Sequence, residues 1–287
     1  ISENTNLGGT HYDPENGGVP INSIDVLIPA FLAAYTNKDP HKVGLSAFPS
    51  LKSILPNWKV TYEGFMQLDL ISQHFKNFVL SHEYNSRYAV GMFSSFQNWV
   101  AAGDGYGFRN DRGNPIPSSA YNITTVSINE AFNPLIGLNA TFKNNMSIKM
   151  ELKNARNLNL NISSLQIVEM NSDDYIFGVG YKLTEFNKVL KMKGSGGAGF
   201  SNDLTVSADF SYRRMLSMIR KIQDSFTQGT NGDAQTTIKI SADYNLSRQL
   251  TVQAFFDRAM SRPLVSSTAF PFSKSSAGIN LKLKLSK

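Results

Sequence analysis

"AGINLKLKLSK" (residues 277–287) alternates without a break: Ile279, Leu281, Leu283 and Leu285 are apolar, and Asn280, Lys282 and Lys284 between them are polar or charged. Successive side chains of a strand point to opposite sides, so this ribbon has one greasy face and one face bearing full charge. The same texture recurs upstream. "MSIKMELK" (146–153) sets Met146, Ile148, Met150 and Leu152 against Ser147, Lys149, Glu151 and Lys153. "YIFGVGYKL" (175–183) puts Phe177 and Val179 on one parity and Lys182 on the other. "LTVSADFSY" (204–212) opposes Val206 and Phe210 to Asp209, "IKISADY" (238–244) opposes Ile238 and Ile240 to Lys239 and Asp243, and "LTVQAFF" (250–256) opposes Val252 to Thr251 and Gln253.

Extended outward, the alternation predicts nine strands, over 57–68, 76–93, 121–143, 146–163, 174–184, 203–213, 236–245, 249–258 and 275–286. "NN" (Asn144, Asn145) and "LSR" (246–248) read as tight hairpins. "SSFQNWVAAGDGYGFRNDRGNPIPSSA" (94–120), "RMLSMIRKIQDSFTQGTNGDAQ" (214–235) and "AMSRPLVSSTAFPFSK" (259–274) read as long loops. Short turns at one end and long loops at the other are the habit of outer-membrane barrels, although the long connection 184–202 breaks the rule.

A soluble β-sandwich also alternates, with one face in a core and the other in water. Two features favour a membrane instead. Apolar faces reach the ~9–11 residues of a tilted spanning strand. Aromatic residues gather near their ends, Phe142, Tyr181 and Tyr244 on the short-turn side and Tyr175, Tyr212 and Phe256 on the other, as girdles at two interfaces do. Lipid is then expected against Met146, Ile148, Met150, Leu152, Phe177, Val179, Val206, Phe210, Ile238, Ile240, Val252, Leu281 and Leu283. A wet lumen is expected against Lys149, Glu151, Lys153, Lys182, Asp209, Lys239, Asp243, Lys282 and Lys284, whose mixed signs suit a hydrated passage better than an ion filter. A spanning sheet must close, and nine is an odd number where single-chain bacterial barrels have even counts. The fold expected is therefore all-β: an antiparallel transmembrane β-barrel portion, an arc of a larger barrel over 57–287, preceded by an irregular extracellular covering segment over 1–56.

Composition agrees. Charged residues are 17% of the chain, below the roughly 25% of soluble domains, and aromatics are 11%. The net charge of +6 is scattered along strands with no dense basic stripe, which argues against nucleic-acid binding. There is no cysteine, hence no disulfide, thiolate metal site or thiol nucleophile. "IDVLIPAFLAAY" (24–35), the longest apolar stretch, is too short for a spanning helix; with Pro29 in a first turn it predicts a short packed helix over 29–35. No basic n-region followed by an apolar run opens the chain, which is expected either if no signal peptide is needed or if this is a piece of a longer protein.

The runs "NEAFNPLIGLNATFKN" (129–144) and "ARNLNLNIS" (155–163), with "VLIPAFLAAYTNKDP" (26–40) and "ADYNLSRQLTVQAFFDRAMSRPLVSSTAFPFSKSSAGINLKLKLS" (242–286), resemble the C-terminal end of the SprA (Sov) family of Bacteroidota. The likeness runs over nearly the whole chain, and family members are much longer. It implies the outer-membrane translocon of the type IX secretion system, which also supports gliding motility. Folded cargo with C-terminal sorting domains would cross a wide lumen and leave sideways to a PorV shuttle barrel, with a Plug protein closing idle channels. It implies no catalytic residue, cofactor or metal, and places the protein at the bacterial cell surface. One departure is the ending Leu285, Ser286, Lys287, where barrels usually end in an aromatic residue. Without the resemblance, a cell-surface adhesion module built as a β-sandwich and a generic porin stand as alternatives.

Other candidate chemistry is weak. Gly194, Gly196 and Gly199 match G-x-G-x-x-G, but a strand and not a helix is expected after them. Asp104 and Asp111 lie among glycines without EF-hand spacing. His11, His41, His74 and His82 form no metal or triad pattern, and Asp173 and Asp174 read as loop caps at the start of a strand. "RRMLSMIRKIQDSF" (213–226) reads equally as an amphipathic helix, with Met215, Ile219, Ile222 and Phe226 opposite Arg214, Arg220 and Lys221, or as a strand running beyond the membrane. Leu158, Leu160 and Ile162 continue the apolar parity past a ~25 Å band and are expected to meet protein, packing on another part of the assembly.

Overall fold

The computed structural model describes residues 23–35, 56–95, 97, 106–109, 115–117, 121–184, 186, 202–224, 226–247, 249–265 and 270–284. In chain order the elements are α1 (Ile24–Tyr35), β1 (Trp58–Tyr62), a 3-10 turn (Gly64–Gln67), α2 (Asp69–Ser72), β2 (Phe75–Ser95), β3 (Tyr106–Arg109), β4 (Pro115–Pro117), β5 (Tyr121–Phe142), β6 (Met146–Asn161), β7 (Gln166–Leu183), β8 (Leu204–Lys221), β9 (Thr227–Asn245), β10 (Leu250–Pro263) and β11 (Phe272–Leu283). The protein is all-β. Nine strands form one antiparallel sheet in the order β1-β2-β5-β6-β7-β8-β9-β10-β11, and β3 and β4 make a separate hairpin. β1 and β11 are the edges of the main sheet.

Hairpin chemistry fixes the neighbours. In the "NN" turn Asn145 takes a left-handed φ of 67°, its N–H donates to the Phe142 carbonyl, and Asn144 Oδ1 accepts from the Met146 N–H. Asparagine is among the few residues that enter that region cheaply. Between β2 and β5 the register slips after Ser81, opposite a stretch that contains Pro134, which has no N–H for the ladder. There the His82 ring instead meets the Leu135 carbonyl, with Nδ1 at 2.6 Å.

Several boundaries differ from expectation, each for a physical reason. The strand expected over 57–68 stops at Tyr62, and a 3-10 turn and α2 follow. There Phe65 packs edge-on against Tyr62 and Phe78. β7 begins at Gln166, so Asp173 and Asp174 are mid-strand and cap no loop. Asp173 accepts from Asn154, and Asp174 takes both Nε and Nη2 of Arg213. The "loop" 214–235 is mostly paired strand, β8 against β9 as far as Arg220↔Thr227, so residues 213–221 are strand and not helix. The expected contrast of long loops and short turns fails accordingly: 162–165 and 222–226 are tight connections at the end where long ones were expected.

α1 starts at Ile24, leaving Pro29 inside the helix and not in its first turn. A mid-helix proline forfeits one hydrogen bond and costs about 3 kcal/mol. Burial offsets it. Val26, Leu27, Ile28, Phe31 and Leu32 are all buried, at about 1.5–3 kcal/mol for each large side chain. Leu27, Ile28, Phe31 and Leu32 pack on Ile123, Val126 and Ile128 of β5 and on Leu158 and Leu160 of β6, both leucines at 0% exposure. The apolar rim meets protein, but that protein is α1 of the same chain and not another part of the assembly, because the helix lays its own apolar face on β5 and β6.

Candidate functional site: two faces of one sheet

Register aligns the apolar parities into rows across the sheet. One runs Ala140, Ile148, Val179, Ala208, Ile240, Phe256, Ala277; the next runs Leu138, Met150, Phe177, Phe210, Ile238. Below them come Met146, Tyr181, Val206, Ala242, Ala254, Ile279 and then Leu183, Leu204, Tyr244, Val252, Leu281. All thirteen residues expected on the lipid side thus share one face. Many remain open to solvent, Phe177 at 43% and Leu281 at 70%. An apolar area of this extent on a free surface marks an interaction with something apolar.

The opposite face is mainly polar, with Ile176 and Phe255 as apolar exceptions. Lys149, Gly178, Asp209, Lys239, Asp257 and Ser276 form one row, and Lys182, Thr205, Asp243, Gln253 and Asn280 another. Glu151 Oε1 and Oε2 lie 3.0 and 3.2 Å from Lys149 and Lys153 Nζ, and Lys182 Nζ is 2.8 Å from Asp203. Ser207 and Ser241 hydroxyls are 2.8 Å apart. A Cβ at Gly178 would stand 2.6 Å from Asp209 Oδ1, so a larger residue there would push the Asp209 carboxylate aside. Lys282 pairs with Thr251 on this face, and the Lys284 N–H, just past β11, donates to the Gln249 carbonyl.

The two faces are also offset systematically. The apolar stretch of β6 is centred at Lys149, and the hydrogen-bonded row from Lys149 reaches β11 at Ser276, yet the apolar stretch of β11 is centred on Leu281. That is a drift of about one residue per strand over five pairings. With ~3.3 Å per residue along a strand and ~4.8 Å between strands, a level apolar band requires strands tilted by about 35°. Spanning strands of barrels tilt by about 35–45°.

Above the band, α1 is tied down by a charged cluster. Glu169 accepts from Arg156 Nε at 3.2 Å, Arg220 Nη2 at 2.8 Å and Asn171 Nδ2 at 3.2 Å, and the Arg156 guanidinium lies 5.0 Å over the Tyr35 ring. Burial by itself would raise the Glu169 carboxyl, but the Asn171 hydrogen bond and the charges of Arg156 and Arg220 outweigh it and hold the group below its ordinary value. A depressed carboxylate stabilises the fold above its unfolded pKa and loses that contribution as pH falls through the folded one. Glu169→Gln is therefore expected to loosen α1 by about 1–2 kcal/mol at neutral pH, the half-exposed arginines limiting the cost. Hydrogen exchange of the α1 amides, corrected for intrinsic rate, checks it: opening rises on acidification in the wild type and is nearly pH-independent in the variant.

This cluster escaped sequence reading. Its one signal was a glutamate on the apolar parity, two and four residues before Asn171 and Asp173. His74 Nδ1 meets the Leu70 carbonyl, and no metal-holding group of His, Asp and Glu exists among the described residues. His11, His41, Asp104, Asp111 and the glycine motif at 194–199 lie outside the described residues. No protein-family model matches the chain, and no curated protein matches it.

Proposed function

We propose that this chain is an arc of an outer-membrane, protein-conducting β-barrel, the translocon of type IX secretion that its sequence resembles. One observation carries the reading: an exposed apolar band, backed by an ionic face, drifts across the register at the tilt of strands that cross a bilayer. The apolar face then meets acyl chains and the polar face lines a water-filled lumen. Two-sided polarity of this kind needs no catalytic residue. The conduit acts through its surface, keeping water and mixed, mutually paired charge against moving cargo. Folded proteins bearing a C-terminal sorting domain, a PorV shuttle barrel and a Plug protein are the partners proposed with it, at the cell surface of a gliding bacterium.

Photo-crosslinkers at Val179 and at Asp209 in the full-length protein test the reading. Lipid adducts are expected from the first and secreted protein from the second. Cargo at Val179, or lipid at Asp209, contradicts it. Because the lumen works collectively, Lys282→Ala is expected to change secretion by less than about twofold, measured as cargo in the medium; a lone substitution there that abolished export would overturn the conduit. A parent chain of only a few hundred residues would leave a porin-type barrel in its place.

A further inference from the structure

The row just above the upper tyrosines carries a different chemistry. On the apolar parity Tyr212 of β8 is followed by Arg214, and Met260 of β10 by Arg262. Register brings the two together, because both pair with Ala234 of β9, one from each side. Their backbones are two strand spacings apart, about 10 Å, with only a methyl group between. Each guanidinium is a planar fork of donors, and two such forks can close on one anion above Ala234.

Among the described residues no side chain pairs with either of them. Arg156 and Arg220 are held by Glu169 and Arg213 by Asp174, whereas Arg214 and Arg262 make no ion pair or side-chain hydrogen bond among the described residues. Asp173, opposite Arg214 in the ladder and on the same face, accepts from Asn154 at 2.7 Å and keeps its negative charge, which offsets one of the positive charges of the patch. Arg258, lower on β10 and on the same face, adds a further positive charge. The floor is greasy. Tyr175, Phe210 and Tyr212 line a hollow of about 450 Å³ together with Asp173 and Arg214, on the β7 side of the arginine pair, and Phe177 continues the apolar parity below it.

We infer that Arg214 and Arg262 hold the phosphate of a phosphorylated membrane lipid whose acyl chains lie over Tyr212 and Phe210. The inference rests on the band being lipid-facing. Free phosphate or an acidic peptide would leave the aromatic floor unused, while a lipid matches charge above and hydrocarbon below in one molecule.

The test is native mass spectrometry of the detergent-solubilised full-length protein offered diphosphoryl lipid A, the same lipid without phosphates, or inorganic phosphate. Retention of the diphosphoryl form alone is expected. It should fall at least tenfold in Arg214→Ala/Arg262→Ala, fall less in Arg214→Lys/Arg262→Lys, and stay unchanged in Lys239→Ala/Lys274→Ala, which removes equal charge from the opposite face. Equal retention of the dephosphorylated lipid, or phosphate bound without lipid, overturns the inference. Membrane fractionation separates the two failures: a protein that sediments with the outer membrane yet shows no phosphate selectivity loses only this site, and one absent from the membrane loses the band's assignment as well.

Discussion

Val179→Arg is expected to destabilise the protein in phospholipid vesicles by about 2–4 kcal/mol, the cost of an arginine at the midplane on the lipid side of a barrel. Val179 is mid-band on β7, between Ile148 and Ala208 in the register. Its counterpart is Ser211→Arg, one strand away on the polar parity beside Thr237, where the same charge is expected to cost no more than about 0.5 kcal/mol, as an ordinary exposed substitution does. Urea titration of both variants in vesicles, followed by intrinsic fluorescence, makes the comparison. Equal shifts would mean that the two faces see the same solvent, and the membrane reading would go.

Phe31→Ala is expected to cost about 3–5 kcal/mol, confined to α1 and the strand ends beneath it. The ring is 3% exposed, packs among Leu27, Leu32, Val126 and Leu160, and stands 5.2 Å from Tyr35. Because α1 already carries the penalty of Pro29, little is left to hold it once the ring is gone. Limited proteolysis should then cut α1 while the β7–β11 hairpins stay protected. Leu160→Ala opens the same space from below, so the double variant should cost less than the two singles added. Simple additivity would show that the two side chains do not share one core.

How far the sequence disclosed this structure depended on what each strand touches. Where one side of a strand carries only apolar residues and the other only polar ones, as at Met146–Leu152 or Ile279–Leu283, the period of two is clean and the strand was legible. At the far ends of β7 and β8 both sides are polar or mixed, and the period disappears there while the hydrogen-bonded ladder continues. Gln166–Asp173 and Arg213–Lys221 were missed or left undecided for that reason. Glu169 was missed with them, because its partners Arg156 and Arg220 sit on separate strands and only the register joins them. Pro29 misled in another way: proline usually begins a helix, but tertiary burial of Ile28 and Phe31 was strong enough to carry the helix through it. The assignment of faces needed only parity; the Arg214–Arg262 pair needed the ladder.

The main sheet ends at β11 in twelve residues of nearly regular strand, with Ile279, Leu281 and Leu283 bare on one side. Along its outer border, every second residue points its N–H and its C=O away from β10. Such a seam is a template that accepts any extended chain of matching pitch, including another copy of itself. Expressed by itself in a water-filled compartment, this polypeptide would tend to knit side by side into insoluble ribbons, so its border has to be met by the right neighbour soon after synthesis, or be shielded by a chaperone until then.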